Sequence, residues 1–263
     1  MSGLAKFVRS SQLLWKGKAP RKLPRWLTLC RLSMFLSRRF LDFEIEYLSA
    51  ESLRQLYAEI FAREEYLFES ATPQPLIFDC GANIGMATLF FKWLYPESTV
   101  VAFEADPTTF QVLSRNIQKN HLQGVSAHNV ALWNENGRIP FFVREHEPGS
   151  LLMSTKADRV EGKEISVESR RLSEFITSKV DLLKLDVEGA ERKVTCDLLE
   201  SGKMDLVQQM VIEYHHHIPH EASQLGSYLT MLERSGWNYQ LNSWFPRNVG
   251  RGAFQDVLIY AYR

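Results

Sequence analysis

Seven residues, Asp79-Cys80-Gly81-Ala82-Asn83-Ile84-Gly85, follow the apolar run Leu76–Phe78 and open a helical pattern. Gly81 and Gly85 leave out side chains where a backbone turns sharply and approaches a ligand. Asn83 stands where glycine is common, and Asn tolerates positive φ better than most residues. Glu104 lies 25 residues after Asp79, at the end of the next apolar run in Val-Val-Ala-Phe-Glu-Ala-Asp-Pro, residues 100–107. A carboxylate there accepts hydrogen bonds from both hydroxyls of an adenosine ribose. Either element alone is a generic strand–turn–helix. Together, at the ends of successive strands, they predict a nucleoside site.

The dinucleotide pattern G-x-G-x-x-G needs glycine at 83 and 86, where this chain has Asn83 and Met86, and the phosphate loop G-x-x-x-x-G-K-S/T is absent. An acidic residue at 79 suits a cationic amino-acid cofactor. S-adenosylmethionine carries an ammonium and a sulfonium, both favoured by nearby carboxylates.

Transfer of a sulfonium methyl asks the protein to position an acceptor and to remove its proton. Asp186 and Glu188, in Asp-Val-Glu-Gly at the end of the run DLLKLDV, are placed for that work. Glu191 falls in the first turn of the following helix, where the dipole favours an acidic residue for structural reasons, and that reading is preferred for it. The next strand ends in Glu213-Tyr214-His215-His216-His217. Alternation sends Glu213, His215 and His217 to one side, and His215 is a candidate base, with an ordinary titration range near neutrality. Neighbouring histidines with His220 could suggest metal, but the H-E-x-x-H spacing is absent and solvated loop histidines are the competing reading. No metal ligands are assigned. Magnesium on the hard oxygens of Asp186, Glu188 or Glu213 is compatible with the pattern but not favoured. Tyr66, Phe68, Trp244 and Phe245 are read as packing.

DCGANIG, AFEADP followed by Phe110, Leu113 and Asn116, NVAL (129–132), RRLSEFI (170–176) and DLLKLDVEGAE (181–191) resemble the successive motifs of FkbM-type methyltransferases. The resemblance spans about residues 60–260, with Cys80 as a small departure where valine or isoleucine is usual. It implies a Rossmann-like class I methyltransferase fold, S-adenosylmethionine as cofactor, and O-methylation of a hydroxyl on a sugar, glycan or secondary metabolite. It implies that Asp79, Gly81, Ala82, Asn83 and Gly85 line the methionine part and that Glu104 holds the ribose. The Asn129–Leu132 stretch, Ala131 included, would border the adenine, and Asp186 would stand beside the methyl.

The elements that must position these residues alternate regularly. Strands are expected at 76–79, 99–105, 125–132, 181–187 and 206–215, with helices at 84–94, 107–120, 190–200 and 221–235. Two inserted strands are expected at 139–143 and 165–172, and a closing pair near 237–244 and 254–262. Near-continuous apolar strands alternating with helices imply a mostly parallel doubly wound sheet, here with an antiparallel edge. Residues 43–69 read as helical, with Leu53, Leu56, Ile60 and Leu67 on one stripe. The division expected is a basic extension (1–41), a helical lead-in (42–75) and the cofactor-binding domain (76–263).

The formal net charge of zero hides an asymmetry: residues 1–41 carry ten Lys or Arg and no Asp or Glu. Trp26–Phe40 reads as a basic amphipathic helix, docked on the domain or on a membrane surface. A transit peptide is a third and less favoured reading. No secretory signal or membrane span is expected. Cys30, Cys80 and Cys196 form no CxxC pair, so a reducing cytosol is the simplest compartment. The partners expected are a small-molecule or glycan acceptor. The other readings are an N-methyltransferase on an amine and a nucleic-acid binder using the basic arm, the latter unfavoured. The sequence leaves oligomeric state open.

Overall fold

The computed structural model describes residues 39–40, 42–143, 163–218, 222–243 and 252–263. In chain order it shows β1 (Arg39–Phe40), β2 (Phe43–Glu44), α1 (Ala50–Leu56) running into a π-helical segment (Tyr57–Ala62), β3 (Leu76–Cys80), α2 (Met86–Leu94) and β4 (Thr99–Phe103). There follow α3 (Pro107–Lys119), β5 (Val125–His128), β6 (Ala131–Trp133), β7 (Gly137–Val143), β8 (Lys163–Arg171), β9 (Leu182–Leu185) and α4 (Glu191–Glu200). The chain ends with β10 (Gln209–His216), α5 (Leu225–Arg234), β11 (Asn238–Ser243) and β12 (Gln255–Tyr262).

The main sheet has the order β5-β4-β3-β9-β10-β12-β11. β3, β4, β5, β9 and β10 pair in parallel, and β12 is antiparallel to both β10 and β11. The antiparallel strand expected at the edge is therefore set one place in from it. Period-2 alternation divides the sheet's side chains between two faces. Ile77, Val100, Leu182 and Val211 pack with α2 and the lead-in. Phe78, Leu183, Ile212 and Ile259 pack on the other face with Val194 and Leu198 of α4 and Tyr228 and Leu232 of α5. Every residue of α2 is buried, including Lys92, whose Nζ donates to the Ser98 carbonyl at 2.7 Å. This is the doubly wound arrangement expected, and it puts the carboxyl ends of β3, β4, β9 and β10 along one rim.

Two expectations are corrected. Residues 43–69 are not one helix. The side chains of Asn116 in α3 and of Asn120, which caps its C-terminus, each accept a main-chain N–H from this segment, of Glu46 and Glu44, at 2.7 Å, and donate back to the same residues' carbonyls. That exchange holds 43–46 extended. Helix begins only after Ser49, whose Oγ accepts the Ser52 N–H, and ends before Glu64, at φ 54. The strand expected over 125–132 is two strands in different sheets. Asn129 breaks it by donating to the carbonyls of Glu104 and Ala105, after which β6 joins β8 and β7 in a separate three-stranded sheet. The helix expected over Trp26–Phe40 lies outside the described residues except for Arg39–Phe40, which form strand β1 against β2 and not helix; Cys30, His220, Trp244 and Phe245 also lie outside them.

Candidate active site

β3 and β4 run in register, with Cys80 opposite Phe103, so the residues beyond them leave the sheet together. Gly81 and Ala82 both donate N–H to the Phe103 carbonyl, at 3.0 and 2.8 Å. Gly81 (φ 84), Asn83 (φ 50) and Gly85 (φ 93) are left-handed, which turns the chain back into α2. The Asn83 Oδ1 accepts the Ile84 N–H at 2.7 Å. A Cβ on Gly81 would lie 1.7 Å from the Asp186 carbonyl oxygen. Gly81 packs this closely against the loop after β9 and also lines the cavity beside it.

Glu104 ends this first half of the site. Its Oε2 accepts the Asn83 N–H at 2.9 Å and its Oε1 accepts the Asp106 N–H at 2.8 Å. Burial pushes its pKa up to about 7, against the pull of those N–H groups. Ala82, Asn83 and Glu104 line a cavity together with Lys184, Asp186 and Glu188. Leu56, Ile60 and Tyr66 of the lead-in roof it, and Phe141 of β7 closes one side.

Three residues expected to touch the cofactor stand outside this lining. Gly85 caps α2 against Leu113. Ala131 is buried at the start of β6 in the cluster of Phe141 and Val167. Asp79 is fully buried beneath the loop, where its Oδ2 accepts the Thr88 hydroxyl at 2.6 Å. Its Oδ1 has no hydrogen-bond partner but faces the Lys184 ammonium at 3.5 Å. Among the described residues, the partners of Asp79 are thus Thr88 and Lys184. That side chain is buried, donates to the Gly81 carbonyl and pairs with Asp186 at 3.2 Å. Burial works against its charge, and Asp186, Asp79 and Glu213 outweigh it, so its pKa is raised.

The second half gathers carboxylates around one imidazole. The His215 Nδ1 is 2.8 Å from the Glu191 Oε1, and its Nε2 is 3.2 Å from Glu188, 3.8 Å from Asp256 and 3.9 Å from Asp186. Glu188 takes φ 58 and Gly189 φ 100, which brings the loop over the sheet end. Burial would raise the pKa of Glu191, but the charge and hydrogen bond of His215 outweigh it and hold the carboxyl below its ordinary value. Glu213 shares the face of His215, as alternation predicts, and accepts the Tyr66 hydroxyl at 3.2 Å. Its pKa is raised well above the usual range by burial first and by the Asp186 charge second. His217 lies beyond the end of β10. Two sets, Asp186 with Glu188 and His215, and Glu213 with His215 and Asp256, bring potential ligand atoms within 4.8 Å of one another. A divalent ion would fit either by donor type.

The sequence model described as the methyltransferase FkbM domain matches residues 79–241. The chain belongs to the FkbM methyltransferase family. Among curated proteins it is 31% identical over 217 residues to Methyltransferase 1 of Beauveria bassiana (strain ARSEF 2860), covering 74% of this chain and 85% of that one. It is 30% identical over 209 residues to 31-O-demethyl-FK506 methyltransferase FkbM of Streptomyces tacrolimicus, covering 65% and 78%. It is 27% identical over 221 residues to 2-O-methyltransferase NoeI of Sinorhizobium fredii (strain NBRC 101917 / NGR234), covering 76% and 86%. The crystal structure of methyltransferase FkbM from Methylobacillus flagellatus KT shares the fold, with a TM-score of 0.52 at 15% identity. That match covers 90% of this chain and 59% of the other.

The FkbM match takes in both halves of the site but not Tyr66 or Asp256. Sequence reasoning brings Gly81, Ala82, Asn83, Glu104, Asp186, Glu188 and His215 to one rim, and the structure places them there. It misses Lys184 and assigns Glu191 to the helix dipole alone. A lysine inside the apolar strand DLLKL is the available signal for the first, because a buried lysine needs paired acids. Nothing local marks the second, whose partner is 24 residues away.

Proposed function

We propose that this FkbM-type methyltransferase uses S-adenosylmethionine to methylate a hydroxyl on a sugar, glycan or secondary metabolite. Glu104 carries the cofactor reading. It is a buried carboxylate with two backbone donors, at the end of the strand beside the glycine loop, and the hydroxyls of a ribose are the donors its environment suits. The cavity beside it is about 60 Å³, below the ~300 Å³ of the smallest ordinary ligand sites. Cofactor entry on this reading displaces the Leu56–Ile60 roof.

S-adenosylmethionine supplies an activated methyl on a sulfonium. The protein's part is to hold the acceptor in line and receive its proton. His215 and Glu188, with Nε2 and Oε2 3.2 Å apart, would form the base, and Asp186, its carboxylate paired to Lys184, would stand beside the methyl. The two O-methyltransferase relatives support a hydroxyl as acceptor. The surplus of carboxylates around His215 favours an amine as the second reading.

Titration calorimetry tests the cofactor. S-adenosylmethionine and its demethylated product should bind at one site, and NADH should not. Binding of NADH without S-adenosylmethionine would overturn the reading. A panel of hydroxyl and amine acceptors with methyl-labelled cofactor separates the two acceptor classes.

A further inference from the structure

Lys184 stands directly across from Asp79 in the parallel pair of β9 and β3, so the two side chains leave the sheet on one face. An ammonium has three N–H groups, and three oxygens surround this one: the Gly81 carbonyl, the Asp186 Oδ2 at 3.2 Å and the Asp79 Oδ1 at 3.5 Å. The Tyr66 ring lies against it, with its centroid 5.3 Å from Nζ. Asp79 is fully buried below the loop, whereas the Asp186 side chain is 21% exposed and lines the cavity. Lys184 is the one lysine or arginine among the described residues of that lining. The other two carboxylates there are answered elsewhere, Glu104 by the Asn83 and Asp106 N–H groups and Glu188 by His215. Pairing with Asp79 alone would account for a buried lysine. Reaching on to Asp186 does something further, because that carboxylate borders the space a ligand fills.

We infer that Lys184 is a positioning residue that masks the charge of Asp186, so that the site does not favour the sulfonium of S-adenosylmethionine over the neutral sulfur of its demethylated product. This rests on the cofactor reading under Proposed function. The two ligands share the adenosine and the amino-acid end and differ by one methyl and one positive charge at sulfur. An unmasked carboxylate beside that charge would favour the methylated form, since opposite charges within ~4–6 Å favour one another by ~10-fold or more. Methyl transfer removes the positive charge, because the C–S bonding pair stays on sulfur while the acceptor oxygen's lone pair bonds the methyl and its proton goes to the base. A carboxylate free to hold the sulfonium would therefore stabilise the starting complex more than the transition state and slow turnover. With its Oδ2 held by Lys184, Asp186 would stand beside the methyl without that penalty.

The test is calorimetric titration of the full-length protein with S-adenosylmethionine and with S-adenosylhomocysteine. The parent should prefer the first by no more than about tenfold. Lys184→Met removes the positive charge and keeps an unbranched chain. It should shift the ratio of the two affinities toward S-adenosylmethionine by about tenfold. It also leaves Asp79 buried without its cation, so a second variant combines Asp79→Asn with Lys184→Met and should show the same shift. Adding Asp186→Asn to either should return the ratio to within about threefold of the parent. A lysine that only ties the two loops together would move both affinities alike and leave their ratio where it was. An unchanged ratio in a variant that keeps a cooperative thermal transition overturns the role. A parent that prefers S-adenosylmethionine by much more than tenfold overturns it with no variant needed. A parent that binds neither ligand overturns the cofactor reading, and this role with it.

Discussion

The two halves of the rim are built on different principles. The half after β3 and β4 is made of backbone: three left-handed residues within five positions, a carbonyl shared by two successive N–H groups, and one carboxylate held by main-chain donors. The half after β9 and β10 is made of side chains, with Asp186 and Glu188 of the β9–α4 loop, Glu191 of α4 and Asp256 of β12 brought to the His215 imidazole of β10. Backbone geometry suits recognition of a constant group, because it depends on few side chains. A cluster of charges suits proton handling, because its affinity for a proton is set by how many carboxylates surround it. Lys184 and Gly81 join the halves: one pairs with acids on both sides, and the other lets the two loops touch.

If the halves have these separate tasks, single changes should divide them. The largest expected effect is on turnover: His215→Ala should lower it ~10²–10⁴-fold, the usual worth of general-base assistance, while calorimetry shows cofactor affinity within about twofold. Loss of both together would mean that the halves are not separable. Gly81→Ala should fail in both at once. Its new Cβ meets the Asp186 backbone, and its φ disfavours any side chain, so thermal or denaturant unfolding should show a loss of ~3 kcal/mol or more. A stable, active Gly81→Ala would show that the loops need not touch.

Glu104→Ala should weaken S-adenosylmethionine ~10–100-fold, since a hydrogen bond to a charged acceptor is worth ~1.5–3 kcal/mol. Titration at several pH values sharpens this. With its pKa raised to about 7, Glu104 is increasingly protonated below that value. Cofactor affinity should therefore fall as pH drops from 8 toward 6, and Glu104→Gln should flatten the dependence. The free protein should show the opposite sign in stability. A carboxyl whose folded-state pKa is raised contributes stability that is fully present below its ordinary value and is lost as pH rises through about 7. The denaturation midpoint of the parent should thus decline relative to Glu104→Gln over that interval. The smallest effect belongs to residues 1–25. Their deletion should leave cofactor affinity unchanged, because the cofactor-binding motifs begin only at Asp79. Reduced affinity in that calorimetric comparison would assign the arm to the site.

The order of strands and helices is legible in the sequence because buried parallel strands are continuous apolar runs and their connections are helical, both local properties. Where that legibility fails, a distant partner overrides the local pattern. The lead-in has a helical stripe, but Asn116 and Asn120 hold its first residues extended from some seventy positions away. The run 125–132 has strand character throughout, but Asn129 spends its side chain on the carbonyls of Glu104 and Ala105 and diverts residues 131–133 into another sheet.

The cofactor half is readable from the chain alone. Gly81, Asn83 and Gly85 carry their conformations within a span of five residues, and Glu104 stands at the end of the next strand, so type and spacing suffice to read them. Pairing among the buried charges is settled only by folding. Spacing makes Asp79 a cofactor contact, whereas the folded chain makes it a fully buried partner of Thr88 and Lys184. Spacing makes Glu191 a helix-dipole residue, whereas the folded chain binds it to His215. A buried charge is tolerated only in company, and the company is chosen by the way strands are placed side by side in the sheet, which spacing along the chain does not record.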